Sequence, residues 1–439
     1  MIQARDGRIL FLIKALIALV FVSKISLGSV LPLPSSFSYF IFQKGLHPYM
    51  NVFLCFLLGF PLLILALKVR VRNHLSGLYK LFVYALMFIL TVQTVLQISF
   101  NVEEESALMQ MAALVSSLFM VVIYGLVIPS LWKVDDLLKF VQKWSGALVL
   151  ISLLLLPVAG GVVFKGGRFI GVFKHIPHMV TCATIAFVFS LGTLLQAKTM
   201  NQRVWSILVL LGSFLAIILT GTRSSAAAAL IALVVTMVLH KTKTNSGRLF
   251  KFTSIAFIFT FALFFGVQTM KFARGIATGE ASLGGRQAQD GVASRWEEIE
   301  RGSEIFLREP WLGHGLLSKF AAGGEVDVSN YNAMKDPHNI FISAGVIGGW
   351  PLLVMSAIAL ILMTIGSLKA LMSGDLAKRQ VAIYLAAHIP ILVIYHIHLS
   401  IGGMADRFYW LTFGFVAATM ASSITRSESR LSNADTGLN

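Results

Sequence analysis

Residues 204–240 read VWSILVLLGSFLAIILTGTRSSAAAALIALVVTMVLH, and this pattern decides the fold class. Two apolar runs, at 204–220 and 224–240, are separated by a few polar residues around Arg223. Each run is roughly as long as a helix needs to be to cross a hydrocarbon core of about 30 Å. The stretch therefore predicts two membrane-spanning helices joined by a short polar turn.

The same pattern recurs along the whole chain. Of the 439 residues, 56% are hydrophobic and 13% are charged, and the mean hydropathy is +0.80. Soluble domains carry roughly 25% charged residues, so the composition excludes a soluble globular protein. Apolar run length predicts an all-α polytopic membrane protein with about twelve transmembrane helices, at 8–27, 49–68, 80–100, 107–131, 146–164, 178–197, 204–220, 224–240, 251–270, 339–368, 380–398 and 407–424. The span at 339–368 is long, and Gly348, Gly349 and Pro351 predict either a kink in it or a start outside the membrane.

Three other features exclude or disfavour particular roles. The first apolar run has a basic lead but no small-residue cleavage site, so we expect an anchor helix rather than a signal peptide. Cys55 and Cys182 lie inside apolar runs, which favours small buried hydrophobes over a disulfide or metal ligands. The net charge of +16 is scattered between the spans, so we expect no nucleic-acid partner.

Charges in alternate loops predict the orientation. One set carries most of the Lys and Arg residues, including Lys133, Lys139 and Lys143, whereas the other set includes the acidic Glu103 to Glu105. The positive-inside rule then places both termini in the cytoplasm. This division predicts an N-terminal transmembrane bundle at 1–270, an outer loop with an amphipathic helix at 271–337, C-terminal transmembrane helices at 338–425 and a cytoplasmic tail at 426–439.

One outer loop breaks the charge rule. The segment from Lys165 to His178 carries Arg168 and Lys174 on the predicted outer side, against the insertion bias. A ligand would explain this placement. Ordinary contact with lipid headgroups is the alternative.

The polar turn around Arg223 is the first candidate site. An arginine in so short a turn must stay near the helix ends, and its planar fork suits bidentate contact with phosphate. Charges at the membrane boundary are functional candidates by default. A snorkelling arginine that caps a helix is the alternative.

Two further candidates flank the end of the long outer loop. Ser294 to Glu297 has the pattern of a capping box, which would place Arg295 in the first turn of a helix, where an anion is favoured. An exposed arginine on a charged helix face is the alternative. Asp336 and Pro337 predict another helix start, with His338 in its first turn as a neutral base. A histidine at a helix start is otherwise structural or solvated.

These pieces occur in the order seen in the O-antigen ligase and O-antigen polymerase superfamily of bacterial membrane glycosyltransferases. The chain resembles it at Gly221-Thr222-Arg223-Ser224, at Arg295-Trp296 and Pro310-Trp311-Leu312-Gly313-His314-Gly315, and at His338-Asn339, with a weaker likeness at Arg168-Phe169-Ile170-Gly171. The resemblance covers roughly residues 165 to 365. Gly345 and Gly348 come about a helical turn earlier than the family pattern leads us to expect.

The resemblance implies a GT-C-like, metal-independent glycosyltransferase without a cofactor, acting at the periplasmic face. Its donor would be a glycan on undecaprenyl diphosphate, and its acceptor lipid A-core or the end of another glycan. Arg223 and Arg295 would hold the donor diphosphate and His338 would take the acceptor proton. The other predicted substrate contacts are Arg168, Lys174, His314 and Asn339.

Several functions stay open at this point. An O-antigen ligase is the nominal choice, and an O-antigen or exopolysaccharide polymerase is the alternative within the family. A polysaccharide transporter or flippase would show charges at mid-membrane and broken helices in matching halves, which the sequence lacks. A structural subunit of an export complex would leave Arg223 and His338 replaceable. The chain has no H-E-x-x-H, Walker or G-x-S-x-G motif, so protease, NTPase and hydrolase functions have no support.

Overall fold

The computed structural model describes residues 7–26, 48–68, 75–101, 104–159, 163–165, 168–239, 282–283, 286–316, 339–373, 375–394 and 406–417. Within these ranges, seven helices are long and apolar enough to cross a membrane: Met50–Lys68, Gly77–Phe100, Ala107–Leu131, Val134–Leu154, Ile176–Gln196, Met200–Thr220 and Ile340–Leu371. The prediction of a helical, polytopic membrane protein is confirmed. The predicted helix at 251–270 lies outside the described residues.

The described elements are mostly helical. The helices are α1 (Gly7–Val22), α2 (Pro48–Lys68), α3 (Gly77–Asn101), α4 (Glu104–Met120), α5 (Ile128–Leu131), α6 (Val134–Leu154), α7 (Leu156–Ala159), α8 (Ile176–Gln196), α9 (Met200–Thr220), α10 (Arg223–Leu239), α11 (Ala288–Arg308), α12 (Ile340–Leu371) and α13 (Leu376–Ile394). Residues 406–417 are also helical, and a π-helical segment, Val121–Val127, joins α4 to α5. Two antiparallel hairpins pair β1 (Phe164–Lys165) with β2 (Arg168–Phe169) and β3 (Ser282–Leu283) with β4 (Arg286–Gln287).

The chain divides into two compact units. The first unit comprises Met1–Leu16, Val52–Asp136 and Glu298–Asn439, and the second comprises Ile17–Asn51 and Leu137–Glu297. In the first unit α12 packs against α13 and α3, and in the second unit α8 packs against α9 and α10.

Small residues bring helices together in the second unit. A Cβ atom at Gly146 of α6 would lie 2.6 Å from Val209 of α9, and one at Gly212 would lie 2.8 Å from Leu150. Close backbone approach at small residues is the usual way in which membrane helices pack. These contacts fix α6 against α9, the helix that leads into the polar turn.

Helix α6 corrects one predicted boundary. It begins at Val134, whereas the apolar run predicted a start at 146, so Lys139 and Lys143 lie in the helix and not in a loop. Asp135 and Asp136 stand in the first turn, where the positive end of the helix stabilises carboxylates. Run length alone missed this amphipathic first half because its charges interrupt the apolar pattern.

A proline explains the π-helical segment of the first unit. In an α-helix the N–H of residue 129 would donate to the carbonyl of Gly125, but Pro129 has no N–H. The hydroxyl of Tyr79 in α3 donates to the Gly125 carbonyl instead, at 3.0 Å. Both groups are buried, so this bond satisfies a carbonyl that would otherwise carry a desolvation penalty.

Helix α12 is broken where the sequence predicts a kink. Gly348 (φ −139°, ψ 25°) and Gly349 (φ 61°, ψ −160°) leave the helical region, and Pro351 follows at once. The predicted kink at these residues is confirmed. The early Gly345 lies against Phe306 of α11, since a Cβ atom there would lie 2.9 Å from the Phe306 ring.

Candidate functional site

The outer loop that breaks the charge rule folds into a hairpin that presents Arg168. Phe169 is fully buried beside it, and its ring lies 5.6 Å from that of Phe164 across the two strands. The loop continues to Gly171 (φ +55°), whose close approach to Ser152 leaves no room for a side chain. The N–H of Val172 donates to the Ser152 hydroxyl at 3.1 Å. These contacts tie the hairpin to α6 and so fix the origin of the Arg168 side chain.

The Arg168 guanidinium is bonded to the polar turn between α9 and α10. Its Nε donates to the Thr220 carbonyl at 2.7 Å, and its Nη2 donates to the Thr222 hydroxyl at 2.7 Å. Helix α9 ends here because Gly221 adopts a left-handed conformation (φ 62°, ψ 23°), which glycine accepts without strain. The structure thus brings together two of the predicted sites, Arg168 and the turn that leads into Arg223.

This arrangement favours an anion on electrostatic grounds. Arg168 is partly buried, and α10 begins at Arg223, directly after the turn that Arg168 contacts. The N-terminus of a helix carries about half a positive charge, and a guanidinium adds a full one. The backbone of Arg223 therefore stands between two sources of positive potential; its side chain lies outside the description.

The Lys174 side chain is exposed, and backbone hydrogen bonds join the loop around it to the segment after α1. Its N–H donates to the Lys24 carbonyl at 3.2 Å, while the Ser26 N–H donates to the Val172 carbonyl at 2.7 Å. The strand-like pairing after α1 thus supports the same loop that carries Arg168.

Arg295 stands in a different position from the one predicted. Helix α11 begins at Ala288, so Ser294 lies inside the helix and is not its N-cap, and Arg295 is not in the first turn. The predicted capping box is wrong because the helix extends upstream through residues that the apolar pattern does not mark. Among the described side chains of α11, Ile305 and Phe306 are buried, whereas Arg301 and Glu304 are exposed.

Asn339, not Asp336, caps the helix that follows His338. The Asn339 Oδ1 accepts from the N–H groups of Phe341 at 2.9 Å and Ile342 at 3.2 Å, and α12 begins at Ile340. The predicted placement of His338 in the first turn is therefore wrong, because Asn is as good an N-cap as Asp and stands closer to the apolar run. Residues Asp336 to His338 lie outside the described residues.

His314 belongs to a turn that fills the break in α12. In a continuous helix Trp350 would donate to Val346, but the Trp350 N–H donates to the Pro310 carbonyl at 2.8 Å. The His314 N–H donates to the Val346 carbonyl at 2.8 Å. Pro351 has no N–H for the Ile347 carbonyl, and the Gly315 N–H donates there at 2.9 Å. The turn thus supplies the donors that the broken helix lacks.

The imidazole of His314 also contacts the main chain. Its Nε2 lies 2.8 Å from the Ile305 carbonyl of α11, which makes Nε2 the protonated nitrogen. The residue was predicted to bind substrate. In the structure it links α11 to α12.

A small apolar pocket lies beside α12, on both sides of its break. Its walls include Leu86 of α3, Ala344 and Met355 of α12, and Trp410 of the helix at 406–417. Among the described residues, no group of three or more His, Cys, Asp or Glu side chains is placed to hold a metal ion.

The turn at 220–223 and the filled break in α12 both fall within one family match. Residues 207–357 match the model of the family described as O-antigen ligase, Wzy_C. The chain carries an O-antigen ligase domain. A comparison of the chain with curated proteins finds no match.

The O-antigen ligase domain contains most of the predicted site. Arg223, Arg295, His314, His338 and Asn339 lie within residues 207–357, whereas Arg168 and Lys174 precede them. The family is shared by O-antigen ligases and polymerases, and it implies a glycosyltransferase-type activity on lipid-linked glycans. Arg168 therefore lies in the loop before the domain and forms hydrogen bonds with a turn inside it.

The sequence did not predict a role for two glutamines of α3, Gln93 and Gln97. The Gln97 Nε2 donates to the carbonyls of Leu312 and Ile347, the second at 3.1 Å, and the Gln93 Nε2 donates to those of Trp311 and Gly348, the first at 3.3 Å. A signal existed, because two amides four residues apart share one face of an apolar span, where polar groups need partners.

A buried arginine was also missed. Arg407 is 0% exposed, and its Nη1 lies 3.5 Å from the Cys55 thiol. Cys55 and Cys182 are both free and buried, as the sequence predicts. Arg407 is the second described residue of the helix at 406–417. The predicted span at 407–424 begins at Arg407, so the residue resembled an ordinary charge at a membrane boundary.

Proposed function

We propose that the protein is an O-antigen ligase that transfers a glycan from undecaprenyl diphosphate to lipid A-core at the periplasmic face of a bacterial inner membrane. The observation that carries the proposal is the family match over residues 207–357, joined to the two hydrogen bonds of Arg168 with the turn that leads into Arg223. That turn combines guanidinium charge with a helix N-terminus, which suits a diphosphate.

The proposed chemistry is a displacement at the anomeric carbon. His338 accepts the proton of the acceptor hydroxyl, the hydroxyl oxygen forms a bond to the anomeric carbon, and the bond between that carbon and the diphosphate oxygen breaks. Arg223 and Arg295 hold the diphosphate and stabilise the charge that develops as it leaves. Arg168 assists from the side of the turn.

The other predicted contacts belong to the same proposal. Lys174 and Asn339 would contact substrate. The bond between the His314 imidazole and the Ile305 carbonyl instead favours a supporting role for that residue. We place both termini in the cytoplasm, with the loop at 271–337 between transmembrane parts at 1–270 and 338–425 and a tail at 426–439.

A reconstituted reaction tests the proposal. Purified protein in liposomes receives undecaprenyl diphosphate-linked glycan and lipid A-core, with no metal or nucleotide added, and the products are separated by gel mobility. Glycan on lipid A-core supports the ligase. A ladder of longer lipid-linked chains would make the protein a polymerase, and no product in either form would contradict a glycosyltransferase and favour a transporter.

A further inference from the structure

The break in α12 is held from two sides. The turn Pro310–Gly315 supplies backbone N–H groups, and Gln93 and Gln97 of α3 supply side-chain N–H groups. We refer to the turn, the broken segment Val346–Trp350 and the two glutamines together as the clasp. All of its parts belong to the first unit.

Each glutamine bridges the turn and the broken helix. A side-chain amide nitrogen carries two N–H donors. Gln97 directs one to Leu312 in the turn and the other to Ile347 in α12. Gln93 does the same one helical turn away, with Trp311 and Gly348. The amides therefore set the position of the turn along α12.

The burial of these amides makes their bonds consequential. Gln97 is 3% exposed and Gln93 is 6% exposed, in a helix that is a candidate membrane span. Loss of the Gln97 amide would remove the side-chain donor to the Leu312 carbonyl, and a buried carbonyl without a donor costs about 1–3 kcal/mol. The backbone bonds of His314, Gly315 and Trp350 would then hold the turn to the helix without the amide.

The clasp connects α11 to the first half of α12. The turn follows directly after α11, His314 returns to Ile305 of α11, and Phe306 packs on Gly345 of α12. The half-helix between Asn339 and Ile347 is thereby fixed against α11 at one end. His338, the base in the proposed reaction, immediately precedes its other end.

We infer that Gln93 and Gln97 are positioning residues for glycosyl transfer: they hold the clasp and, through it, the half-helix that follows His338. The inference rests on the proposed function for its link to catalysis. A displacement of about 1 Å at a reacting group can lower a rate about 100-fold, so small movements of this half-helix would be visible in kcat.

Gln97→Met tests this inference, because methionine has nearly the same length and no donors. Gln97 is the cleaner choice, since the Gln93 Oε1 is buried without a hydrogen-bond partner among the described residues. The matched control is Gln142→Met in α6 of the second unit. Gln142 is also buried, at 4% exposed, and makes two side-chain bonds, with Ser190 and Trp205.

Two readouts are measured on each variant in liposomes. Hydrogen–deuterium exchange is followed by mass spectrometry in peptides that cover 309–316 and 345–352, which contain the amides of His314, Gly315 and Trp350. Steady-state transfer gives kcat and the donor KM. We expect Gln97→Met to raise exchange in both peptides and to lower kcat about 10- to 100-fold, with the donor KM changed less than about threefold. Gln142→Met should leave both peptides and kcat unchanged.

The possible results separate the two proposals. Unchanged exchange in Gln97→Met would overturn the inference, and so would raised exchange with an unchanged kcat. A wild type that transfers no glycan would overturn the proposed function and the link to catalysis, while the exchange comparison would still decide whether the amides hold the break. If Gln97→Met does not insert, Gln97→Asn, which keeps both donors on a shorter side chain, undergoes the same measurements and is expected to change them in the same direction.

Discussion

Both the turn at 220–223 in the second unit and the clasp in the first unit contain a backbone carbonyl that is bonded by a side chain. The side chains are of different types. In each, a carbonyl at the end or the break of a helix accepts from a side chain of another element: Thr220 from Arg168, and Ile347 from Gln97. The difference lies in what remains afterwards. The Arg168 guanidinium carries a full positive charge, whereas the Gln97 amide is neutral. The proposed function therefore assigns anion binding to the charged site and a supporting role to the neutral one.

The largest expected effect is a loss of glycan-transfer activity in variants that remain folded. Arg223→Ala and His338→Ala should each lower glycan transfer by about 10²–10⁴-fold, because they remove charge stabilisation and the general base. Arg223→Lys should also lose most of the activity, since an ammonium cannot make a bidentate contact. Transfer rate and thermal unfolding are measured on the same preparations. Arg203→Ala, at an exposed position of α9, is the control and should keep full activity.

Product at the wild-type level from Arg223→Ala or His338→Ala would remove the proposed mechanism. A large fall in unfolding temperature in Arg223→Ala would instead give the turn the same supporting role as the clasp.

The next effect is the opposite, a loss of stability in the clasp. Gly313 has φ +67°, and a Cβ atom there would lie 2.6 Å from the backbone nitrogens of Gly348 and Gly349. Gly313→Ala should therefore destabilise the protein by about 2–4 kcal/mol, as judged by denaturant unfolding in detergent. Gly77→Ala is the matched control, because an added Cβ meets nothing within 4 Å. Equal stability of the two variants would mean that the turn does not fill the break.

A smaller effect tests whether Arg168 and the turn act together. Arg168→Ala and Thr222→Val each remove one side of the hydrogen bond at 2.7 Å. A double-mutant cycle should give a coupling of about 1 kcal/mol in unfolding free energy, and both single variants should raise the donor KM. Additive effects, with an unchanged donor KM, would separate Arg168 from the site.

The smallest effect concerns His314. His314→Ala removes the bond to the Ile305 carbonyl and should lower stability by about 1 kcal/mol, with no change in the KM of donor or acceptor. His314→Gln offers an N–H donor and should recover part of the loss. A raised KM with unchanged stability would show that the imidazole contacts substrate, as the sequence predicted, and would assign the clasp a share in binding.

The sequence predicts the spans and the kink because both depend on local chemistry. Run length locates seven helices, and Gly348, Gly349 and Pro351 locate the break, since each residue type limits its own backbone. The order of the family motifs also identifies the domain. These features need no knowledge of distant contacts.

Helix starts and buried amides were predicted less well, for two different reasons. Asp336 and Ser294 are good caps, but Asn339 and the residues upstream of Ser294 compete, and local preference cannot choose between neighbours. Gln93 and Gln97 carry no charge, so a search for charges in the membrane passes over them. Their partners lie more than two hundred residues away along the chain, where no sequence periodicity connects them.

Pro129 constrains the order in which substitutions at positions 79 and 129 can be tolerated. The Tyr79 hydroxyl is needed because Pro129 cannot donate to Gly125, so the two residues are linked by epistasis. A lineage that first replaces Pro129 with alanine regains a backbone donor, and Tyr79→Phe then becomes tolerable. The reverse order passes through an intermediate that lacks the Tyr79 hydrogen bond to the buried Gly125 carbonyl, and selection would disfavour that intermediate.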